Sequence, residues 1–346
     1  MAQPSAGGPA APPPASGRRH GLLTVVAREA GVSVPTVSKV VNRRPGVGAD
    51  TRAHVEELLR SHGWRRTEEE RRRQVYVVFR DLAGPYTLEV ARGVVEAAAA
   101  ADVECVTGTT GSRSVAEWLD AARSSGAVGV ILVISMLTER DQRRVVDGSV
   151  PVVLLDPLNE PDDRIPSVGV TNWRGARAAV EHLVELGHRR IGMVAGRPSS
   201  PAGAARLHGF RSGLSEAGLP DDPALVRATD FDYGEGIRAA RALLSLPDPP
   251  TAVFAASDSQ ALGVLEAARQ AGVPVPGRLS VVSFDDTAVA ATASPPLTAV
   301  HQPFEELGRV ATRTLLDAAA GHRPSTTRVE LATGLTVRAS TAPPPS

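Results

Sequence analysis

At 346 residues the chain is too long for one small domain and implies two or three. An apolar fraction of 42% excludes a mostly disordered protein, and only 3% aromatics means aliphatic cores, so any aromatic beside a pocket stands out. Net charge is zero, yet residues 18–73 hold 13 Lys/Arg against 7 Asp/Glu, a net +6 that leaves −6 on the remainder, the electrostatic footprint of a basic DNA-binding module on an acidic body.

Residues 1–20, with Pro and Gly throughout and no apolar run, read as a disordered tail and not as an export signal; Arg18 and Arg19 can add phosphate contacts. Leu23 to Asn42 then reads as two short helices around a tight turn. Val26, Ala27 and Ala30 share a face of the first, and Gly31 supplies positive φ at its end. Ser33 N-caps the second, Pro35 sits in its first turn, and Val37, Val40 and Val41 form its buried side. Val34, Pro35, Ser38 and Lys39 are left outward, as on a recognition helix entering the major groove.

The order VAREAGVS-x-x-TVSKVVN followed by TRAHVEELL resembles the start of lactose-repressor (LacI) family transcription factors, whose third helix corresponds to Thr51–Ser61. Trp64 is expected to close this small core, giving a helix-turn-helix domain over 21–64. The charged block 65–74 follows, with Thr67 as a cap, acids first and arginines last, a solvated linker helix by its own pattern. By the resemblance it is the hinge that orders on DNA. It departs from the family there: Arg66 and Thr67 replace the usual Pro-Asn start, and Arg73 stands where a minor-groove-wedging Leu is usual.

From Val75, apolar runs of four to six residues alternate with amphipathic stretches, first VYVVF, DVECV, GVILVI, PVVLL and SVGV, with helices over Leu88–Ala100 and Ser114–Ser124 between them. RIGMVA, TAVFAA and LSVVSF continue the series, with helices near Trp173–Leu186, Ala202–Ala217, Tyr233–Leu246 and Asp258–Ala271. Such runs joined by helices indicate parallel strands buried on both faces, so two tandem doubly wound α/β units are expected. Cys105, the single cysteine, lies in an apolar run and reads as an inert thiol; no segment has the length of a membrane span.

Five blocks, among them FAASDSQALGVLEAARQAG from Phe254 and SVVSFDDTAVAATASPPLTAVHQP from Ser280, resemble the effector domain of the same family, akin to periplasmic sugar-binding proteins. The resemblance implies an effector domain over 75–340 (an N-subdomain of about 75–170 plus 302–328, a C-subdomain of about 171–301 plus 329–340) and a short tail at 341–346. No P-loop, nucleotide-binding glycine motif, nucleophile elbow or zinc-protease motif is present, so neither an enzyme nor a metal or other cofactor is expected; His182 and His188 read as helix-end imidazoles.

Ligands of open α/β sheets lie beyond the carboxyl ends of strands, where Asp81, Ser135, Asp156 and Asp285 fall. A carboxylate and an arginine together suit vicinal sugar hydroxyls, and Arg206 and Asp285 match family positions that hold the effector; Ser257 matches one where the family usually has Asn. Tyr86, Trp173 and Phe231 are candidate platforms for a sugar's apolar face, while Phe79 and Phe284 can be core and Asp258 and Asp286 helix caps. The expected protein is a cytoplasmic, homodimeric repressor of a near-palindromic operator, controlled by a small effector: a sugar, or alternatively a purine or sugar phosphate. A plain sugar-binding protein is the weaker rival. Base edges fall to Val34, Pro35 and Lys39; Thr24, Ser33, Thr36, Ser38, Asn42 and Thr51 position the backbone through phosphates.

Overall fold

The computed structural model describes residues 15–41, 46–62, 73–322 and 325–345. The chain divides into two compact units, 1–71 and 72–346. In the first, helices α1 (Ala15–Glu29), α2 (Val34–Val41) and α3 (Ala49–Ser61) enclose one apolar cluster. Val26 and Ala27, then Val37, Val40 and Val41, then Val55 and Leu59 are its buried members, each set at helical spacing. Gly31, at φ +66, turns the chain after α1, and Ser33 Oγ accepts the Thr36 N–H at 3.2 Å as the cap of α2. His62 Nε2 lies 2.6 Å from Glu29 Oε2, tying the end of α3 to the end of α1.

Two boundaries differ from expectation. α1 begins at Ala15, so 15–20 are helical and not part of a disordered tail; the segment starts directly after Pro14, the last proline before Pro35. Gln74 is no hinge residue: it opens a strand in register with Glu104. Arg73 is exposed and extended, its carbonyl accepting from Glu104 N–H. Asn42, Trp64 and the hinge positions 65–72 lie outside the described residues.

The second unit holds two lobes. The first contains β1 (Gln74–Phe79), α4 (Pro85–Ala100), β2 (Glu104–Thr109), α5 (Val115–Ser125), β3 (Gly129–Val133), α6 (Glu139–Val146), β4 (Val152–Leu155) and β5 (Ser167–Val170). The second contains α7 (Asn172–Glu185), β6 (Ile191–Ala195), α8 (Pro201–Glu216), β7 (Val226–Ala228), α9 (Tyr233–Leu244), β8 (Ala252–Ala255), α10 (Asp258–Gln270), β9 (Ser280–Asp285), α11 (Ala288–Thr292) and β10 (Thr298–His301). The chain returns through α12 (Phe304–Ala319) and β11 (Arg328–Leu331), then crosses once more into β12 (Gly334–Thr336). The sheets run β11-β5-β4-β3-β1-β2 and β12-β10-β9-β8-β6-β7, parallel except for the β10–β12 pair.

Strands such as GVILV and VVLL are buried along their whole length because helices cover both faces. α4 and α12 bring Val90, Val94, Leu307 and Ala311 to one face of the first sheet, and α5 brings Trp118 and Leu119 to the other. These two helices touch through backbone: a Cβ on Gly93 would lie 1.9 Å from the Glu305 carbonyl oxygen, and one on Gly308 2.5 Å from that of Val90. The expected lobe boundary at 328/329 moves to 332–333, because β11 pairs with β5 in the first sheet, Val329 opposite Val168.

The C-terminal run is not a loose tail after 340. Buried His188 shares hydrogen bonds from Nδ1 with Thr251 Oγ1 (2.8 Å) and from Nε2 with Ser280 Oγ (3.0 Å) and the Ala342 carbonyl (2.9 Å), and His182 reaches Thr341 Oγ1 at 3.1 Å. Both imidazoles therefore clasp this run and not the last carbonyls of α7. Burial depresses both their pKa values. A His that resists protonation only when folded stabilises above its unfolded pKa of about 6.5 and loses that contribution as pH falls below it. Thermal midpoints are expected to drop between pH 7.5 and 5.5, more steeply than in a His188→Gln variant. Equal slopes would remove His188 from the account.

Candidate functional site

Because all strands but β12 run parallel within their sheets, they end on the same side of each lobe, and those ends surround a cavity of about 1040 Å³. Arg206, on α8, is its central buried cation. Its Nε donates to Asn172 Oδ1 (2.8 Å) and its Nη1 to the Ala256 carbonyl (2.5 Å) and Asp285 Oδ1 (3.4 Å). The guanidinium lies 3.8 Å from the centroid of Phe284 and 5.6 Å from that of Phe231. Asp285 ends β9 at φ 120, accepts Gln302 Nε2 at 2.6 Å and Asp258 N–H at 3.4 Å, and is pushed up by burial to about 7 despite Arg206. Across the cavity Tyr86 donates its hydroxyl to Asp156 Oδ2 at 2.8 Å; burial raises both groups, Tyr86 strongly. The interior thus offers carboxylates that accept readily and a guanidinium held from three sides.

Of the sequence-predicted residues, Asp81, Tyr86, Asp156, Trp173, Arg206, Phe231, Ser257 and Asp285 all line the cavity. Asp81 is at the rim, 3.1 Å from Arg80 Nε and accepting Ala83 N–H. Tyr86 and Trp173 stand in the first turns of α4 and α7 and not in loops, and Phe231 precedes α9. Phe231 brings the tip of its ring close to Gly196, where an added Cβ would come 2.2 Å from its Cζ. Ser257 Oγ is occupied as the cap of α10, accepting Gln260 N–H at 3.2 Å.

Ser135 is a correction. It is buried, bonds back to the Val133 carbonyl at 3.3 Å and does not line the cavity, since Ile134 at φ 47 turns the chain inward directly after β3. Asp258 and Asp286 are not caps of their own helices either. Asp258 accepts from Ser283 Oγ and from Thr287 N–H and Oγ1, bracing the turn after β9, while Asp286 pairs with Arg338 at 2.6 Å and His301 at 3.2 Å. Phe284 is core as allowed, yet it also floors Arg206.

Asn172 and Gln302, not anticipated from sequence, complete the site. Both sit on segments joining the lobes, Asn172 after β5 and Gln302 between β10 and α12, and the third joining segment is tied in by Thr333 N–H to Thr171 Oγ1 at 3.1 Å. Gln302 Oε1 is buried and has no hydrogen-bond partner among the described residues. Their signal in the sequence was a polar residue two positions or fewer beyond an apolar run. In the first unit, Pro35 and Lys39 are exposed, Val34, Thr36 and Ser38 are half-buried, and Thr36 Oγ1 shares a hydrogen bond with Ser33 Oγ at 2.8 Å. Thr24 is exposed and Thr51 half-buried.

The profile described as "Bacterial regulatory proteins, lacI family" matches residues 23–67, and that of a "Periplasmic binding protein-like domain" matches 180–341. The transcriptional regulator CelR of Thermobifida fusca is 34% identical over 336 residues, 93% of this chain and 99% of CelR. The chain belongs to the lacI family of bacterial regulatory proteins. Catabolite control protein A of Priestia megaterium is 31% identical over 84% of this lacI-family chain and 90% of its own. In structure, the lacI-family chain is similar to a CelR–cellobiose complex (TM-score 0.71, 33% identity, 92% of this chain and 99% of that one). It is also similar to a lac repressor dimer bound to operator and the anti-inducer ONPF (TM-score 0.70, 27% identity, 92% and 98%). The lacI-family protein is thus a transcriptional regulator and not an enzyme. Among its described residues no helix is long and apolar enough to cross a membrane.

Proposed function

We propose that this regulator represses transcription by binding a near-palindromic operator as a two-fold homodimer, in the cytoplasm, and that a sugar bound in the cavity controls its operator affinity. One helix reads too few base pairs for specificity, so a dimer is required. Val34 and Pro35 read thymine methyls or groove shape, and Lys39 donates to guanine. Thr24, Ser33, Thr36, Ser38, Asn42 and Thr51 fix the frame through phosphates, and Arg73 suits a narrow minor groove. The burial of Val37, Val40 and Val41 on the opposite side of α2 supports this orientation.

The observation that carries the effector reading is the buried Arg206–Asp285 pair beside the ring of Phe231. Acceptor and donor side by side hold vicinal hydroxyls, and the ring takes a pyranose's apolar face. Five of the chain's twelve aromatics (Phe79, Tyr86, Trp173, Phe231 and Tyr233) line this one cavity. Eight carboxylate residues line it against five arginines and no lysine, which disfavours a sugar phosphate. Cellobiose in the similar CelR structure supports the same class. Since Arg206 bonds Asn172, and Asp285 bonds Gln302, ligand contacts pull directly on two joining segments. Whatever ligand does to operator affinity, operator must do reciprocally to ligand affinity.

Fluorescence anisotropy on the protein's own upstream DNA, with and without a panel of mono- and disaccharides, purines and sugar phosphates, tests this. Tight binding that one sugar weakens is expected. Release by a purine or sugar phosphate alone would replace the effector class, and DNA binding no better than to random sequence would remove the operator reading.

A further inference from the structure

Phe231 neighbours two arginine–carboxylate pairs, one in space and one along the chain, and only the first belongs to the buried centre of the cavity. That first pair is Arg206–Asp285, with side chains 8% and 15% exposed. The other is Arg197–Asp230, a bidentate pair with Nε to Oδ1 at 2.7 Å and Nη2 to Oδ2 at 2.6 Å, both residues lining the same cavity. Arg197 follows Gly196, close to which the tip of the Phe231 ring lies, and Asp230 directly precedes Phe231. The pair is therefore tied to the position of Phe231 by chain connectivity at both partners. Asp230 is held further through its carbonyl, which accepts Gln260 Nε2 at 3.2 Å and Thr229 Oγ1 at 2.9 Å.

Stability gives little reason for such a pair. Its side chains are 54% and 55% exposed, and ion pairs that open to water contribute little to folding. Recognition gives a better one. The bidentate geometry leaves Arg197 Nη1 without a partner among the described residues and leaves lone pairs on the Asp230 carboxylate, so a donor and an acceptor stand side by side at the mouth of the cavity. Two further exposed aromatics, Trp173 and Tyr233, line that cavity at 41% and 45% exposure, a cost to a water-facing surface unless something apolar covers them. At about 1040 Å³ the space lies just above the range of about 300–1,000 Å³ usual for ligand pockets, more than a single sugar ring fills.

We propose that Arg197 and Asp230 form a second saccharide subsite outside the Arg206–Asp285 subsite, with Phe231 neighbouring both, so that the effector is an uncharged glycan of at least two rings. The proposal rests on the sugar reading above and adds the length of the ligand and the residues that measure it.

Isothermal titration calorimetry of the full-length protein with three matched pairs, glucose and cellobiose, glucose and maltose, xylose and xylobiose, tests it. For at least one pair the disaccharide is expected to bind about 30-fold or more tighter than its monosaccharide. Arg197→Ala is expected to shrink that ratio to about threefold or less while leaving the monosaccharide Kd and the thermal midpoint where they were. Arg197→Lys, which keeps the charge but not the fork, is expected to fall between them. Equal affinities for disaccharide and monosaccharide, or a ratio that survives Arg197→Ala, overturn the second subsite and leave the sugar reading standing. Binding by none of the saccharides overturns the sugar reading itself and the subsite with it.

Discussion

Replacing Asp285 by asparagine is expected to weaken effector binding by about 100-fold and to leave operator affinity within about twofold of wild type. The substitution keeps shape and leaves Arg206 its bonds to Asn172 and the Ala256 carbonyl, but removes the charged acceptor that a ligand hydroxyl would use. With the amide oxygen kept toward Arg206 and Gln302, the new NH2 replaces the oxygen that accepts the Asp258 N–H at 3.4 Å. The carboxyl is pushed up to about 7 by burial, so below that pH it carries a proton and meets a ligand hydroxyl as a neutral, weaker acceptor. Wild-type affinity for the effector should therefore fall as pH drops below 7 and level off above it. The asparagine variant should show no such slope. Calorimetry from pH 5.5 to 8.5, with circular dichroism to show that the variant is folded, decides. A variant that still responds normally, or keeps the slope, would place the ligand elsewhere.

Gly93→Ala is expected to destabilise the second unit by about 3 kcal/mol or more, lowering its thermal midpoint by roughly 6–12 °C. One methyl does this because there is no side chain to move: the new Cβ would lie 1.9 Å from the Glu305 carbonyl oxygen, which belongs to the first turn of α12. The two helices must part, and Val90, Val94, Leu307 and Ala311 lose contact beneath them. Gly308→Ala meets the Val90 carbonyl at 2.5 Å on the same seam, so the double variant should cost less than the sum of the singles. Differential scanning calorimetry that finds either single variant within about 1 °C of wild type would mean that the helices are not packed backbone to backbone.

The same physics explains what the sequence made legible. β1, β3 and β4 announce themselves because strands covered on both faces must be continuously apolar. α5 does so through its capping box, where Ser114 Oγ accepts Glu117 N–H and the glutamate returns to Ser114 N–H. β7, β11 and β12 are three or four residues long at sheet edges, partly wet, and carry no such run. α6 buries only Val145 among its eight residues and is polar almost throughout, too few apolar side chains for a legible stripe. In the site, Asp156 and Asp285 were readable because they stand directly beyond apolar runs, whereas Arg206 was readable only through the family resemblance. Ser135 failed because its hydroxyl turns back on the Val133 carbonyl of its own strand, a local bond that composition does not reveal. Asn172 and Gln302 escaped because a polar residue just beyond an apolar run is a weak local signal, and what gives these two their role is lying where the chain passes between lobes.

That passage occurs three times, after β5, after β10 and after β11, so each lobe is assembled from separate stretches of sequence. Genetic exchange is constrained accordingly. A chimera that grafts a foreign DNA-reading head onto this body needs one junction near residue 72. A chimera that exchanges a single lobe needs three matched junctions at once, and a frameshift late in the gene, near residue 302, strips α12 and β11 from one lobe and β12 from the other. New effector specificities in such a body are expected to arise by substitution along the cleft, and new targets by wholesale replacement of the head.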